Sequence, residues 1–258
     1  MTVEVLISCM YQKDFSIIQR SNVQSNALII NQCDAEKVED FQFSNAKGEV
    51  CHARMISTKE RGLSKSRNMA IRFATGDICL FCDDDEILET DYETKIVTSF
   101  EQYPQESILV FKINHPKRRF SSTTYKIGYF KALRICSLQI AFKRTYIRTQ
   151  FCEKMGSGTG NGGGEENKFL VDCLKKRLKI RYVPLLIAYV SQTDSKWFHG
   201  YDATYWINRG WVAKMIYGKI IAYLYILYVL IVRSHKIDNT NSWLKKAYWI
   251  HRGFFEER

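Results

Sequence analysis

Over the first 115 residues, short continuous apolar runs alternate with stretches that carry apolar side chains at helical spacing. That alternation predicts strand–helix–strand units, a sheet flanked by helices. The strands fall at 3–9 (VEVLISC), 27–31 (ALIIN), 78–82 (ICLFC) and 108–113 (ILVFKI). Asp14 is placed to cap a helix running through Ile17, Ile18 and Val23. A second helix covers 63–75 and stops at Gly76, as expected of glycine just past a helix end.

Further along the pattern changes. Residues 117–148 are basic and less regular, with a strand expected around 133–142. The run 156–164 (GSGTGNGGG) holds six glycines in nine positions, which reads as a loop. Residues 165–179 follow with an apolar stripe at Phe169, Leu170, Cys173, Leu174 and Leu178. Acids in its first turn and bases in its last suit a helix dipole. Residues 181–190 form one more strand, in which Pro184 requires an edge or a bulge.

The carboxy-terminal stretch 220–232 (IIAYLYILYVLIV) is uncharged and flanked by Lys214, Lys219, Arg233, His235 and Lys236. A bilayer crossing needs about 20 such residues. The run is therefore read as an in-plane helix at a membrane surface, with a buried core helix, an oligomer interface or a true span as alternatives. This divides the chain into a catalytic unit, 1–200, and a helical, membrane-associated unit, 201–258.

Composition adds two points. The chain of 258 residues carries 38 Lys and Arg against 27 Asp and Glu, a net charge of +11. Residues 1–125 are net −3 and residues 126–258 net +14, so the second half suits an anionic partner: a phosphorylated substrate, a membrane surface or nucleic acid. The eight cysteines lack a repeating spacing and no signal peptide precedes Val3, so a reduced, cytoplasmic protein is expected.

The chemistry concentrates at Asp83-Asp84-Asp85-Glu86, directly after an apolar strand. On an extended chain Asp83 and Asp85 project together and Asp84 points away. Two such carboxylates can hold a hard divalent cation that also bridges a diphosphate; a solvated acidic turn is the simpler alternative. Two other patterns lead nowhere. Gly158 to Gly163 satisfies G-x-G-x-x-G, but it lies late in the chain with no acid ending a strand about 20 residues on. Cys79 and Cys82 would face opposite sides of a strand, which argues against zinc.

Taken together, Arg61-Gly-Leu-Ser-Lys-Ser-Arg67-Asn68, the Ala74-Thr-Gly76-Asp-Ile helix end and the acid run resemble the donor-binding core of glycosyltransferase family 2, inverting enzymes of the GT-A fold. The resemblance spans residues 3–190. It implies a Rossmann-like α/β fold with a mixed, mainly parallel sheet, extended here by the carboxy-terminal apolar helices. It also implies a nucleoside-diphosphate sugar donor, UDP-linked, a Mn²⁺ or Mg²⁺ cofactor, and a glycan or lipid-linked acceptor in surface-polysaccharide assembly. Nucleic acid is then not expected as a partner, and the enzyme would sit on the inner face of the cell membrane.

By the same resemblance Ser8, Tyr11, Asn31, Asp34, Arg67, Asp83 and Asp84 belong to the donor site, and Asp85 with Asp83 holds the metal. His199, in Trp197-Phe198-His199-Gly200, would complete the metal shell from a closing loop. Gly-Gly-Glu165-Glu166 stands where the family carries Gly-Gly-Glu-Asp, so Glu166, or else Glu165, is the catalytic base. Asn31-Gln-Cys-Asp34 departs from the family's usual Asp-Asp-Gly-Ser. Two other readings stay open: a nucleotidyltransferase of similar fold, and a basic scaffold that binds nucleic acid or membrane.

Overall fold

Apolar residues on both faces of a strand require cover on both faces of its sheet, and the central strands meet that requirement. A computed structural model describes residues 1–116, 118–190 and 200–258. The strands are β1 (Val3–Met10), β2 (Asn26–Gln32), β3 (Lys37–Ser44), β4 (Val50–Thr58), β5 (Ile78–Asp83), β6 (Glu86–Leu88), β7 (Ile108–Asn114), β8 (Tyr125–Lys126), β9 (Ile140–Lys143) and β10 (Ile180–Val190). They join one sheet in the order β3-β4-β2-β1-β5-β9-β7-β10-β6, with β8 paired to β10. Strands β4, β2, β1 and β5 run parallel, whereas β9 is antiparallel to both its neighbours.

The two faces bury separate cores. Val5, Ile7, Ile29 and Leu80 point to one, where α1 (Ser16–Arg20) contributes Ile17 and α3 (Tyr92–Gln102) contributes Ile96 and Phe100. Leu6, Leu28 and Phe81 point to the other, covered by Ala70 of α2 (Leu63–Phe73) and, beyond the short α4 (Tyr129–Ala132), by Phe169 and Leu170 of α5 (Glu165–Lys175). Each such side chain removed from water contributes about 1.5–3 kcal/mol. Cys79 and Cys82 do fall on opposite faces, and all eight cysteines are free.

Several expected elements take a different form. Asp14 accepts the Ser16 N–H, but the N-cap of α1 is Phe15, with no side-chain capping bond; α1 ends at Arg20, and Asn22 takes φ 51°. Gly76 does not cap α2 with a positive φ. A Cβ there would lie 2.6 Å from Cβ of Glu4, whose buried carboxylate accepts the Gly76 N–H. Glycine is needed for that close approach. Where a strand was expected at 133–142, the chain forms a 3₁₀ turn at Ser137–Gln139 and only the four-residue β9. Helix α5 is shorter than its stripe suggested, because Arg177 turns the chain at φ 62°. Pro184 sits at a bulge, between the Val183 and Leu186 pairings with β7. The β3–β4 hairpin has no counterpart in the sequence reading.

After residue 200 the chain is helical: α6 (Ala203–Tyr217), α7 (Lys219–Tyr228), a π turn at Val229–Arg233, α8 (Ser234–Ile237) and α9 (Trp243–Phe255). Helices α6 and α9 cross at two glycines. A Cβ on Gly210 would lie 2.0 Å from the Ile250 carbonyl oxygen, and one on Gly253 1.8 Å from that of Ile207. Lys219–Ile237 forms one continuous apolar helix of 19 residues. One side of it packs into a core with Trp206 and Ala213 of α6 and Ile250 and Phe254 of α9, but only 28% of its apolar window is buried. Ala222, Ile226, Val229 and Leu230 face inward, while Ile220 and Ile231 are 81% and 76% exposed.

Candidate active site

Parallel register brings three expected residues together at the carboxyl ends of neighbouring strands. Ser8 of β1 pairs with Asp83 of β5, and Cys9 pairs with Asn31 of β2. Ligands of open α/β sheets gather at such strand ends. Ser8 accepts a hydrogen bond from the Ser66 hydroxyl of α2 at 2.9 Å. Asn31 is buried, and its amide holds the backbone of Gln12 from both sides: Oδ1 accepts the Gln12 N–H at 2.9 Å and Nδ2 donates to the Gln12 carbonyl at 2.8 Å. Asn31 thus shapes the loop after β1 with its own polar atoms already engaged.

That loop presents Tyr11, exposed and at φ 51°, an uncommon backbone for a non-glycine residue. Its hydroxyl donates to Asp34 at 3.4 Å, and Arg61 donates to the same carboxylate at 2.6 Å with its guanidinium 5.5 Å from the Tyr11 ring centroid. Ring, acid and guanidinium form one cluster beside the strand ends. Arg61 entered the sequence reading only as part of a motif; its pairing with Asp34 is a tertiary contact.

The acid run is not extended throughout. Asp83 ends β5, and Asp84 and Asp85 form the turn into β6, so the alternation expected along an extended chain does not apply. Asp84 is exposed, Asp85 half-buried and Glu86 buried. Burial and then the charge of Asp83 hold the Glu86 carboxyl well above the usual carboxylate range.

Arg67 lies behind this turn, 2% exposed. Its Nη2 donates to Asp83 at 3.1 and 3.2 Å and to Ser137 at 2.7 Å, and its Nη1 donates to Glu165 at 2.9 Å. Burial alone would lower its pKa, but the charges of Asp83 and Glu165 outweigh that and raise it. The guanidinium therefore stays charged and ties the acid of β5 to the first turn of α5. Ser137 was absent from the sequence reading because it lies in a segment expected to be strand.

Glycines bring the start of α5 to this place. Gly164 takes φ 98°, and a Cβ on it would lie 3.1 Å from Val212 of α6. Glu165 is buried against Arg67, while Glu166 is half-buried without an ion-pair partner among the described residues. Burial and then the neighbouring Glu165 charge raise Glu166 to about 8, against the lowering effect of Arg67. Such a carboxylate is poised to accept a proton near neutral pH. The thiols nearby are inert, burial pushing Cys9 and Cys136 up to about 12.

Among the described residues no three Asp, Glu, His or Cys side chains cluster as a ready-made metal site. Asp85 and Asp83 offer hard carboxylate oxygens that fit Mn²⁺ or Mg²⁺ only if a ligand's own oxygens complete the shell. His199 lies outside the described residues.

Residues 28–155 match the family described as glycosyl transferase family 2. No curated protein sequence matches the chain. S. aureus TarS 1-349 in complex with UDP-GlcNAc is similar in structure at 13% identity and TM-score 0.64, over 98% of this chain and 79% of that one. The mannosyltransferase PcManGT from Pyrobaculum calidifontis, in complex with GDP-Man and Mn²⁺, is similar at 13% identity and TM-score 0.55, over 98% and 73%. At that identity the likeness concerns the fold, which is the GT-A fold expected from the motifs. With the family match laid over the strand-end acids, the chain belongs to glycosyltransferase family 2 and is a nucleotide-sugar glycosyltransferase.

Proposed function

We propose that the protein moves a sugar from a UDP-linked donor to a hydroxyl of a glycan or lipid-linked acceptor, with inversion, in surface-polysaccharide synthesis. The observation that carries this reading is the Arg67 bridge, which joins the strand-end acid Asp83 to Glu165 in the first turn of α5, next to Glu166. In this reading the nucleobase stacks on Tyr11 beside Asp34 and Arg61, Ser8 and Asn31 shape the floor, and Asp83 and Asp84 face the ribose side. Asp85 and Asp83 would hold Mn²⁺ or Mg²⁺, the donor's own oxygens completing the shell. When bound, that cation neutralises the charge growing on the leaving diphosphate. The cation and UDP assignments draw support from the similar folds solved with Mn²⁺ and with UDP-GlcNAc.

Glu166 is the base. It takes the proton of the acceptor hydroxyl as that oxygen bonds to the anomeric carbon, while the bond to the diphosphate breaks and its electron pair leaves on phosphate oxygen. Glu165 cannot easily do this, because Arg67 holds its carboxylate. It positions the guanidinium instead.

The exposed apolar face of Lys219–Ile237 lies on the inner leaflet, drawn there by Lys214, Lys219, Arg233 and Lys236. A screen of nucleotide sugars tests the whole reading. One UDP-sugar should raise the melting temperature only with Mn²⁺ or Mg²⁺ present; stabilisation by none, with or without metal, would sink it.

A further inference from the structure

The glycine loop before Glu165 has a second side. There Gly162 to Gly164, Leu133 and helices α6 and α7 enclose a cavity of about 470 Å³. Arg209 lines it. Its Nη1 donates to the Tyr205 hydroxyl at 2.8 Å and its Nη2 to the Tyr225 hydroxyl at 2.9 Å. Its Nε–H is buried with no acceptor among the described residues, and so is the hydroxyl of Tyr217, whose ring lies 5.9 Å from that of Tyr225.

No ion pair among the described residues involves Arg209. One carboxylate, Asp202, is present in the described lining, but it caps α6 by accepting the Tyr205 N–H at 2.8 Å. Seven helical residues, about 10 Å, separate it from Arg209. A fixed cation and two buried donors left unsatisfied are costly, because each gave up its hydrogen bond to water without gaining another. An oxyanion would satisfy them, and guanidinium suits a phosphoryl group. Leu133, Val212, Ala213 and Ile216 give the cavity one apolar stretch of wall, and Asn167, Thr204 and Asn208 add uncharged polar groups.

We infer that this cavity binds the phosphoryl group of the acceptor, with Arg209 and Tyr217 as its donors and the apolar wall against the adjoining hydrocarbon. Calling the ligand an acceptor rests on the proposed transfer reaction. The binding of a phosphoryl group does not.

The test is calorimetric titration of the full chain in EDTA with octyl phosphate, inorganic phosphate and, as uncharged control, octyl glucoside. Octyl phosphate should bind and octyl glucoside should not. Arg209→Gln should weaken octyl phosphate at least tenfold and Tyr217→Phe several-fold, with melting temperature unchanged for the latter. Inorganic phosphate competing equally well supports a free or polymer phosphate; competition by octyl phosphate alone supports a lipid headgroup. Absence of binding by either phosphate, or Tyr217→Phe and folded Arg209→Gln binding like wild type, overturns the site. Donor binding with Mn²⁺, measured on the same proteins, separates the two readings. Donor bound without octyl phosphate overturns the cavity assignment alone, and the reverse overturns the donor assignment alone.

Discussion

The guanidinium of Arg67 donates to Glu165 at 2.9 Å across 98 positions of sequence, with both side chains buried. Removing one partner of a buried pair leaves the other charge without compensation, at a cost of about 3–5 kcal/mol. Arg67→Ala should therefore lower the melting temperature clearly in a thermal scan and abolish measurable transfer. Arg67→Lys should fold better yet stay well below wild-type kcat, because an ammonium cannot reach Asp83, Ser137 and Glu165 as a planar fork does. Wild-type turnover in Arg67→Lys would remove the bridge from the mechanism.

With Glu166 as the proposed base, the rate should depend on pH in a defined sense. A base must be ionised to act, and this carboxyl is raised to about 8, so kcat/KM should climb about tenfold per pH unit below that value and level off above it. Glu166→Gln should keep donor affinity, lose at least a hundredfold in kcat and flatten the profile. The stability effect has the opposite sense. With the folded pKa above the unfolded one, the folded state holds more protons, so this group's contribution declines as pH rises from the ordinary carboxylate range towards 8. Melting curves of Glu166→Gln should lose that decline.

Asp85→Asn tests the cation. It removes one hard oxygen charge from the turn between β5 and β6 without changing side-chain size. Metal-dependent stabilisation by a UDP-sugar should fall at least tenfold, while the melting temperature of the ligand-free protein stays within a degree or two. Unchanged metal dependence would shift the ligand role to another residue.

Gly253→Ala probes the carboxy-terminal helices. The new methyl would meet the Ile207 carbonyl oxygen at 1.8 Å, so α9 must move away from α6. Overpacking costs about 1–3 kcal/mol, and at about 2–4 °C per kcal/mol for a chain of this size the loss is visible by calorimetry. Gly48→Ala, where a Cβ meets nothing within 4 Å, has only its φ of +78° to overcome and should cost less.

Ile220→Glu with Ile231→Glu tests the membrane face. Both side chains are exposed, so folding should be unaffected, but sedimentation with vesicles containing anionic lipid should drop severalfold. Equal sedimentation of variant and wild type would argue against this helix as the contact.

Much of the site was legible because its signals are local. The strand runs that became β1, β2, β5 and β7 declare themselves by continuous apolar residues, and the acid run, the glycine loop and the stripe of α5 each lie within a dozen positions. Strand β3 gave no such signal: it is largely exposed and carries charges through its middle, so it has no buried face to write a pattern. The expected strand at 133–142 mistook apolar residues that fill the space under α5 for a sheet edge.

The sequence by itself determined the family and the sheet-and-helix alternation, since these depend on short-range spacing and side-chain type. Only the tertiary structure decided which of the two α5 acids is held by an arginine. Strand order places Asp83 beside α2, and the glycine loop carries α5 to the same guanidinium, so Arg67 engages Glu165 and leaves Glu166 with its raised affinity for a proton. Such pairings depend on through-space distance and burial, and neither is written in the spacing of residues along the chain.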